Sequence, residues 1–226
     1  MNRIATILAA LAVIIAGGLW YFMQGEEAPP PPVPTAQQQG AEASPPAEEA
    51  LPVIEDITMG NPEASVTVIE YASFTCPHCK NFHAGPLKQL KAEYIDTGKI
   101  NFVYREVYFD KFGLWAALLA RCGGKERYMQ IADMLYERQS QWLAGGDVAQ
   151  VVTNLHQIGR DAGLSDDKVA ACLTDTRMAR ALVATYQKNA EADGIDSTPS
   201  FVINGQKYNN MPYSEFRAVL EEQLTE

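Results

Sequence analysis

The chain has 226 residues, 47% hydrophobic and 20% charged, a globular composition that excludes wholesale disorder and collagen-like repetition. Its formal charge of -10 is unevenly spread: residues 4–79 hold no Lys or Arg, so the acidic excess is local and the basic footprint of a nucleic-acid binder is missing. Four cysteines are too few to staple a chain of this length, which leaves a hydrophobic core to hold the fold.

The first 23 residues read as a membrane signal. Ile4 to Met23 carries no charge, and at roughly 1.5 Å per residue a helix over that run spans about 30 Å, the thickness of a hydrocarbon core. Arg3 and the amino terminus precede it and a Lys/Arg-free acidic stretch follows, so the positive-inside rule leaves the amino terminus cytoplasmic and exports the rest. Trp20, Tyr21 and Phe22 suit the headgroup level at the outer end of a retained single-pass anchor. The competing reading is a cleaved signal, with Ala16 and Gly18 small enough to precede a cut and a soluble exported product. Residues 24–50 turn to Pro, Ala, Gln and Glu, with Pro29 to Pro32 consecutive, and lack the apolar surface to offset their ordering entropy. They read as a tether.

The folded part begins near Leu51. Val66 to Tyr71 is a β-branched run suited to a buried strand, and Ser73-Phe74-Thr75 leads from it into Cys76-Pro77-His78-Cys79. A helix starts at Cys76, with Pro77 at the first helical position and Pro86 expected to kink it. Ile100 to Val107 is the next strand, and residues 112–176 read as several helices uninterrupted by any strand pattern. Arg177 to Ala192 is a further helix. Phe201 to Ile203 is a strand, Asn204-Gly205 a two-residue hairpin turn, and Ser214 a cap for a final helix. The order is strand, helix, strand, helical block, helix, strand, hairpin and helix, an α/β arrangement.

The chemistry concentrates in Cys76-Pro77-His78-Cys79. Two cysteines at i and i+3 on a helix's first turn can close a small disulfide, and the helix N-terminus stabilises the thiolate of the first. Cys76 is therefore the nucleophile and Cys79, one turn deeper, the resolving thiol. His78 between them can add positive charge or a hydrogen bond, favouring the dithiol and making the disulfide a stronger oxidant. A zinc site would need two further Cys or His ligands at close spacing, and Cys122 and Cys172 stand fifty residues apart. Redox chemistry with no metal is the expectation.

At these residues the sequence resembles the DsbA-type thiol-disulfide oxidoreductases of the thioredoxin superfamily, on EYASFTCPHC after an apolar strand and STPSFVING more than a hundred residues later. The resemblance covers about residues 51–226. It implies a thioredoxin fold with a helical domain inserted at about 112–176 and no cofactor beyond the dithiol. It also implies a role in introducing disulfides into cysteine-containing exported proteins of a bacterial periplasm, with a membrane quinone-linked thiol oxidase restoring the disulfide. In that family an acid lies under the active site six positions before the first cysteine, which here is Glu70. Its implied role is to take the proton of Cys79; the competing reading is a structural ion pair with Arg105. Thr198-Pro199 matches the family's cis-proline loop, implied to pair with a substrate strand near Cys76; the competing reading is an ordinary trans proline opening the Phe201 strand. Thr before this proline is similar to the isomerase branch, which keeps an isomerase or reductase use of the dithiol open beside oxidation. Isomerases of the superfamily are usually dimers through an added domain; none is visible here, and a monomer is expected. The remaining alternative is a tethered chaperone or binding module, against which the intact dithiol counts.

His83, one turn after Cys79, reads as a surface helix residue, with a place bordering the site as the alternative, and His156 as packing, while Tyr108, Phe109, Phe112 and Trp115 read as core before substrate groove. Cys122 and Cys172 sit in helical, partly apolar settings of an exported chain, where free thiols seldom persist. They are expected to bond to each other, with two buried free thiols or a second exchanging pair as the alternatives.

Overall fold

The computed structural model describes residues 50–225; the anchor expected at 1–23 and all but the last residue of the tether expected at 24–50 lie outside the described residues. Among the described residues no helix is long and apolar enough to cross a membrane.

Five strands form one sheet: β1 (Ile57–Gly60), β2 (Val66–Ala72), β3 (Ile100–Glu106), β4 (Ser200–Ile203) and β5 (Gln206–Asn209), in the order β1-β3-β2-β4-β5. β2 is central because both its faces are apolar: Val66, Val68 and Ala72 pack into the main core, while Ile69 and Tyr71 join a smaller cluster with Val107 and Val202 on the other face. It runs parallel to β3, with Val66 opposite Ile100, and antiparallel to β4, with Glu70 opposite Phe201. A parallel neighbour requires a crossover. Here the crossover is α1 (Pro77–Ala84), α2 (Pro86–Leu90) and a π-helical turn at Lys91–Ile95.

Three local features differ from the sequence expectation. β1 is an edge strand in which only Ile57 is buried, so it offers no alternating pattern to detect. It ends at Gly60, where φ is +87° and a Cβ would stand 2.4 Å from the Ile100 carbonyl oxygen, so only glycine closes that pairing. Pro86 does not kink a continuous helix. Gly85 breaks it with φ -132° and ψ -78°, and Pro86 opens α2 at the helix start, where its missing N–H costs nothing. Ser214 does not cap the final helix α9 (Tyr213–Gln223) either; Pro212 holds the cap position and contributes no side-chain bond.

The strand-free stretch folds as α3 (Lys111–Cys122), α4 (Lys125–Glu137), the short α5 (Gln139–Trp142), α6 (Val148–Asp161) and α7 (Asp166–Leu173). Asp110, Asp147 and Ser165 cap α3, α6 and α7 by accepting backbone N–H bonds. Cys122 and Cys172 are bonded, S–S 2.10 Å, joining the end of α3 to α7. Glu106, buried at the end of β3, accepts both Arg121 Nε (2.7 Å) and Arg121 Nη2 (2.6 Å) and the Tyr128 hydroxyl (2.8 Å), which ties the sheet to α3 and α4. Such a paired, hydrogen-bonded charge is the form in which a buried carboxylate is tolerated. α8 (Thr176–Ala192) then returns the chain to β4, and Asn204-Gly205 turns β4 into β5 with both residues at positive φ, 46° and 85°.

Phe82 of α1, Phe201 of β4 and Phe216 of α9 pack with ring centroids 4.8 Å apart across the Phe201 ring on either side. Two aromatic and histidine expectations are corrected. Phe109 is 58% exposed instead of core, because it sits in the loop before α3 where no element covers it. His156 is half-buried beside Asp166 of α7, Nδ1 to Oδ1 3.3 Å, paired instead of simply packed.

Candidate active site

The end of β2 and the start of α1 build the dithiol. Ser73 O accepts the Cys76 N–H at 3.1 Å, turning the chain so that Cys76 holds the cap position of α1 with extended backbone, φ -84° and ψ 121°. Pro77 follows as the first helical residue; Pro77 and His78 are exposed, while Cys76 is 8% and Cys79 0% exposed. The two sulfurs are not joined in a disulfide.

The two sulfurs are driven in opposite directions. The thiol of Cys79 donates to Cys76 and, against the opposing effect of burial, this bond together with the Thr198 hydroxyl and the backbone N–H groups of Cys79 and His78 holds the Cys76 thiol down at about 5. Burial pushes the Cys79 thiol far above its ordinary value, and its bond to Cys76 and the nearby Glu70 carboxylate add to that. The reduced site thus keeps one negative charge, on the outer sulfur, at a helix start that favours it. His78 contributes through its backbone.

Across from Cys76 lies the loop before β4, where the Thr198-Pro199 peptide is cis. Cys76 Sγ is 3.4 Å from the Thr198 carbonyl oxygen. Thr198 Oγ1 is buried with no hydrogen-bond partner among the described residues, which leaves it free to donate to a Cys76 thiolate.

Glu70 is fully buried beneath the site, and its partner is His83: Oε2 to Nε2 is 3.2 Å. Two expectations fail here. Arg105 does not pair with Glu70. It stands opposite Tyr71 in the β2-β3 register, one residue out of step with Glu70, so the alternation of a strand sends it to the other face. There it binds Asp56 through two bonds of 3.0 and 2.9 Å and reaches Asp193 at 3.3 Å. His83 is not a surface residue. It follows Cys79 by four positions, which puts it on the same inward face of α1, and it is 5% exposed against the rings of Tyr136 and Tyr104.

Two further residues escaped the sequence reading. Gln139 at the start of α5 is buried and donates its amide to the carbonyl oxygens of Phe74 and Cys76, both at 2.9 Å. Asp110 caps α3 with Oδ1 and accepts the Thr75 hydroxyl with Oδ2 at 2.8 Å. Asp before a helical run is a visible cap signal; no local signal marks Gln139.

A two-cysteine helix start facing a cis-proline loop, on a five-stranded sheet with a helical insertion, defines a thioredoxin-fold dithiol protein. The family model described as thioredoxin matches residues 53–222, and the chain belongs to that family. A curated relative from Rickettsia bellii, named "Putative protein-disulfide oxidoreductase", is 32% identical over 172 residues, 76% of this chain and 65% of the relative. The chain therefore spans just under two thirds of that relative's length. Disulfide bond formation protein D of Bacillus subtilis is 24% identical over 181 residues, covering 74% of this chain and 76% of the relative. Among solved structures, Wolbachia pipientis alpha-DsbA1 superposes with TM-score 0.71 at 28% identity, over 77% of this chain and 94% of that one.

Proposed function

We propose that the protein is a thiol-disulfide oxidoreductase that introduces disulfides into cysteine-containing exported proteins. The observation that carries this is the split between the two sulfurs: an outer Cys76 held down at about 5 and a buried Cys79 held far up. A sulfur that is a stable thiolate is a good leaving group, so a mixed disulfide on Cys76 is released readily toward the dithiol. In the first step a substrate thiolate attacks Cys76 Sγ of the Cys76–Cys79 disulfide, the S–S bond breaks, and Cys79 leaves and takes up a proton. In the second step the substrate's other thiolate attacks the substrate sulfur of the mixed disulfide, and Cys76 leaves as thiolate. Glu70 is the group that exchanges the Cys79 proton. Thr198 and Pro199 receive the substrate backbone beside Cys76, and Pro77 and His78 shape the exposed rim.

The names of the relatives support the same chemistry, and the anchor-like run Ile4 to Met23 supports its placement outside a bacterial inner membrane, where a quinone-linked thiol oxidase would restore the disulfide to a monomeric protein. Thr198 favours a second reading, isomerisation or reduction by the same dithiol. One equilibrium experiment separates them. Mixed with glutathione redox buffers, an oxidase retains its dithiol form at ratios that keep ordinary disulfides closed, and oxidises a reduced two-cysteine peptide stoichiometrically. A potential near that of thioredoxin, with no net peptide oxidation, would reject oxidation in favour of reduction.

A further inference from the structure

One buried titratable pair leads away from the sulfurs. Glu70 Oε1 and His83 Nδ1 are both buried and have no partner among the described residues, while Glu70 Oε2 and His83 Nε2 face each other at 3.2 Å. That bond survives in either protonation arrangement: a protonated Glu70 donates to Nε2, and a protonated Nε2 donates to the Glu70 carboxylate. His83 also lines a cavity of about 100 Å³ shared with Lys80, Lys88, Asp133, Tyr136 and Glu137, of which Lys88, Asp133 and Glu137 are exposed. Such a volume holds water, for which Lys80, Lys88, Asp133 and Glu137 in an otherwise mostly apolar lining offer polar partners.

We propose that His83 is the proton exit of the active site, linking Glu70 to water in this cavity, which His83 lines and Glu70 and Cys79 do not. This deepens the proposed function and rests on it. When substrate thiolate breaks the Cys76–Cys79 bond, the electron pair goes to Cys79 Sγ, which takes the proton that Glu70 carries on Oε1 while its Oε2 accepts from the protonated Nε2 of His83. Glu70 takes the Nε2 proton of His83, and His83 regains one at Nδ1 from cavity water. Reoxidation runs the same transfers backward. One proton crosses from solvent to sulfur per turnover, although Cys79 is itself closed to solvent.

Every titratable group facing the pair is accounted for. Tyr104 and Tyr136 donate between their own hydroxyls at 2.7 Å, and burial keeps both phenols protonated far above the ordinary range, so they pack against the imidazole without carrying the proton. Cys79 is the donor or acceptor on the sheet side. Lys80, Lys88, Asp133 and Glu137 line the cavity and set its field. His83 touches neither substrate nor sulfur and acts through Glu70.

The test uses the full-length oxidised chain reacting with excess dithiothreitol, followed by acid quench and thiol counting across pH. His83→Ala should slow the reaction ~10-fold or more and change its pH dependence once the thiolate fraction of dithiothreitol is divided out. The midpoint of Cys76 alkylation should stay in place. Added imidazole, filling the vacated space, should restore the rate. A rate and profile within twofold of wild type would overturn the proposal, and so would a slow His83→Ala that imidazole leaves slow, since that marks a structural role. If His83→Ala does not fold, His83→Gln replaces it, because it still donates to Glu70 but relays no proton; a wild-type pH profile there overturns the proposal equally. Wild type that fails to oxidise dithiothreitol would instead reject the parent function, and this inference with it.

Discussion

Gln139 and Cys76, 63 positions apart, meet through a hydrogen bond from the Gln139 amide to the Cys76 carbonyl oxygen at 2.9 Å, and the same nitrogen serves Phe74 at the same distance. The helical insertion thereby fixes the loop that presents the nucleophile. Both carbonyls lie where solvent does not replace a lost donor.

Removing that donor gives the first prediction. Gln139→Ala strands two buried acceptors, each of which costs about 1–3 kcal/mol when unpaired. The variant is expected to lose roughly 2–4 kcal/mol in urea unfolding of the reduced protein. A loss below about 0.5 kcal/mol would mean the insertion does not hold the active-site loop.

The second concerns pH. Cys76 is depressed in the folded reduced protein, so its thiolate contributes stability that is fully present above the unfolded value near 9 and is lost as pH falls through about 5. Between those limits the unfolded chain binds one more proton than the folded one, and stability of the dithiol form should rise with pH by up to about 1.4 kcal/mol per unit. Above about 9 the raised Cys79 acts with the opposite sign, and the gain should stop and reverse. Denaturant midpoints of the reduced protein from pH 5 to 10 check the shape; a flat profile would contradict the assignment of charge to Cys76.

Thr198 supplies the third. Its buried hydroxyl lowers the Cys76 thiol and has no hydrogen-bond partner among the described residues. Thr198→Val keeps the shape and removes the donor, so the pH midpoint for iodoacetamide alkylation of Cys76 should move upward, with alkylation at mildly acidic pH slowed several-fold. An unchanged midpoint would show that the Cys79 thiol and the helix-start N–H groups hold the charge without Thr198.

The fourth prediction addresses the Cys122–Cys172 bond. In the chain-entropy account, closing a 50-residue separation stabilises by about 4 kcal/mol at most, because strain and residual unfolded structure reduce it. Cys122→Ala with Cys172→Ala should lower stability by roughly 2–4 kcal/mol without altering the alkylation midpoint of Cys76. A shift of that midpoint would reveal coupling between the insertion bridge and the dithiol.

The fifth rests on the Ile4 to Met23 run. The protein is expected to remain with membranes after a carbonate wash. Recovery of a soluble form lacking its first eighteen or so residues would establish cleavage instead.

The sequence alone determined what depends on near neighbours in the chain. A β-branched run must bury both faces, Pro77 suits only a helix start, Asn204-Gly205 suits a positive-φ turn, and cysteines three apart on a first turn are a dithiol motif, since each follows from backbone sterics and periodicity within a few residues. The place of His83 was partly legible too: four positions after Cys79 it had to share that residue's face, but whether the face was buried depended on what packed over it. Tertiary structure decided the rest. The register of β2 against β3 put Arg105 opposite Tyr71 and left Glu70 to His83, although all four lie within 35 positions of one another. Gln139 found Cys76, and Thr198 found it from the other side, only once the sheet and insertion had closed. Long-range pairs of this kind carry no periodic signal, because a buried donor and acceptor need only proximity, and proximity is set by the packing of whole elements.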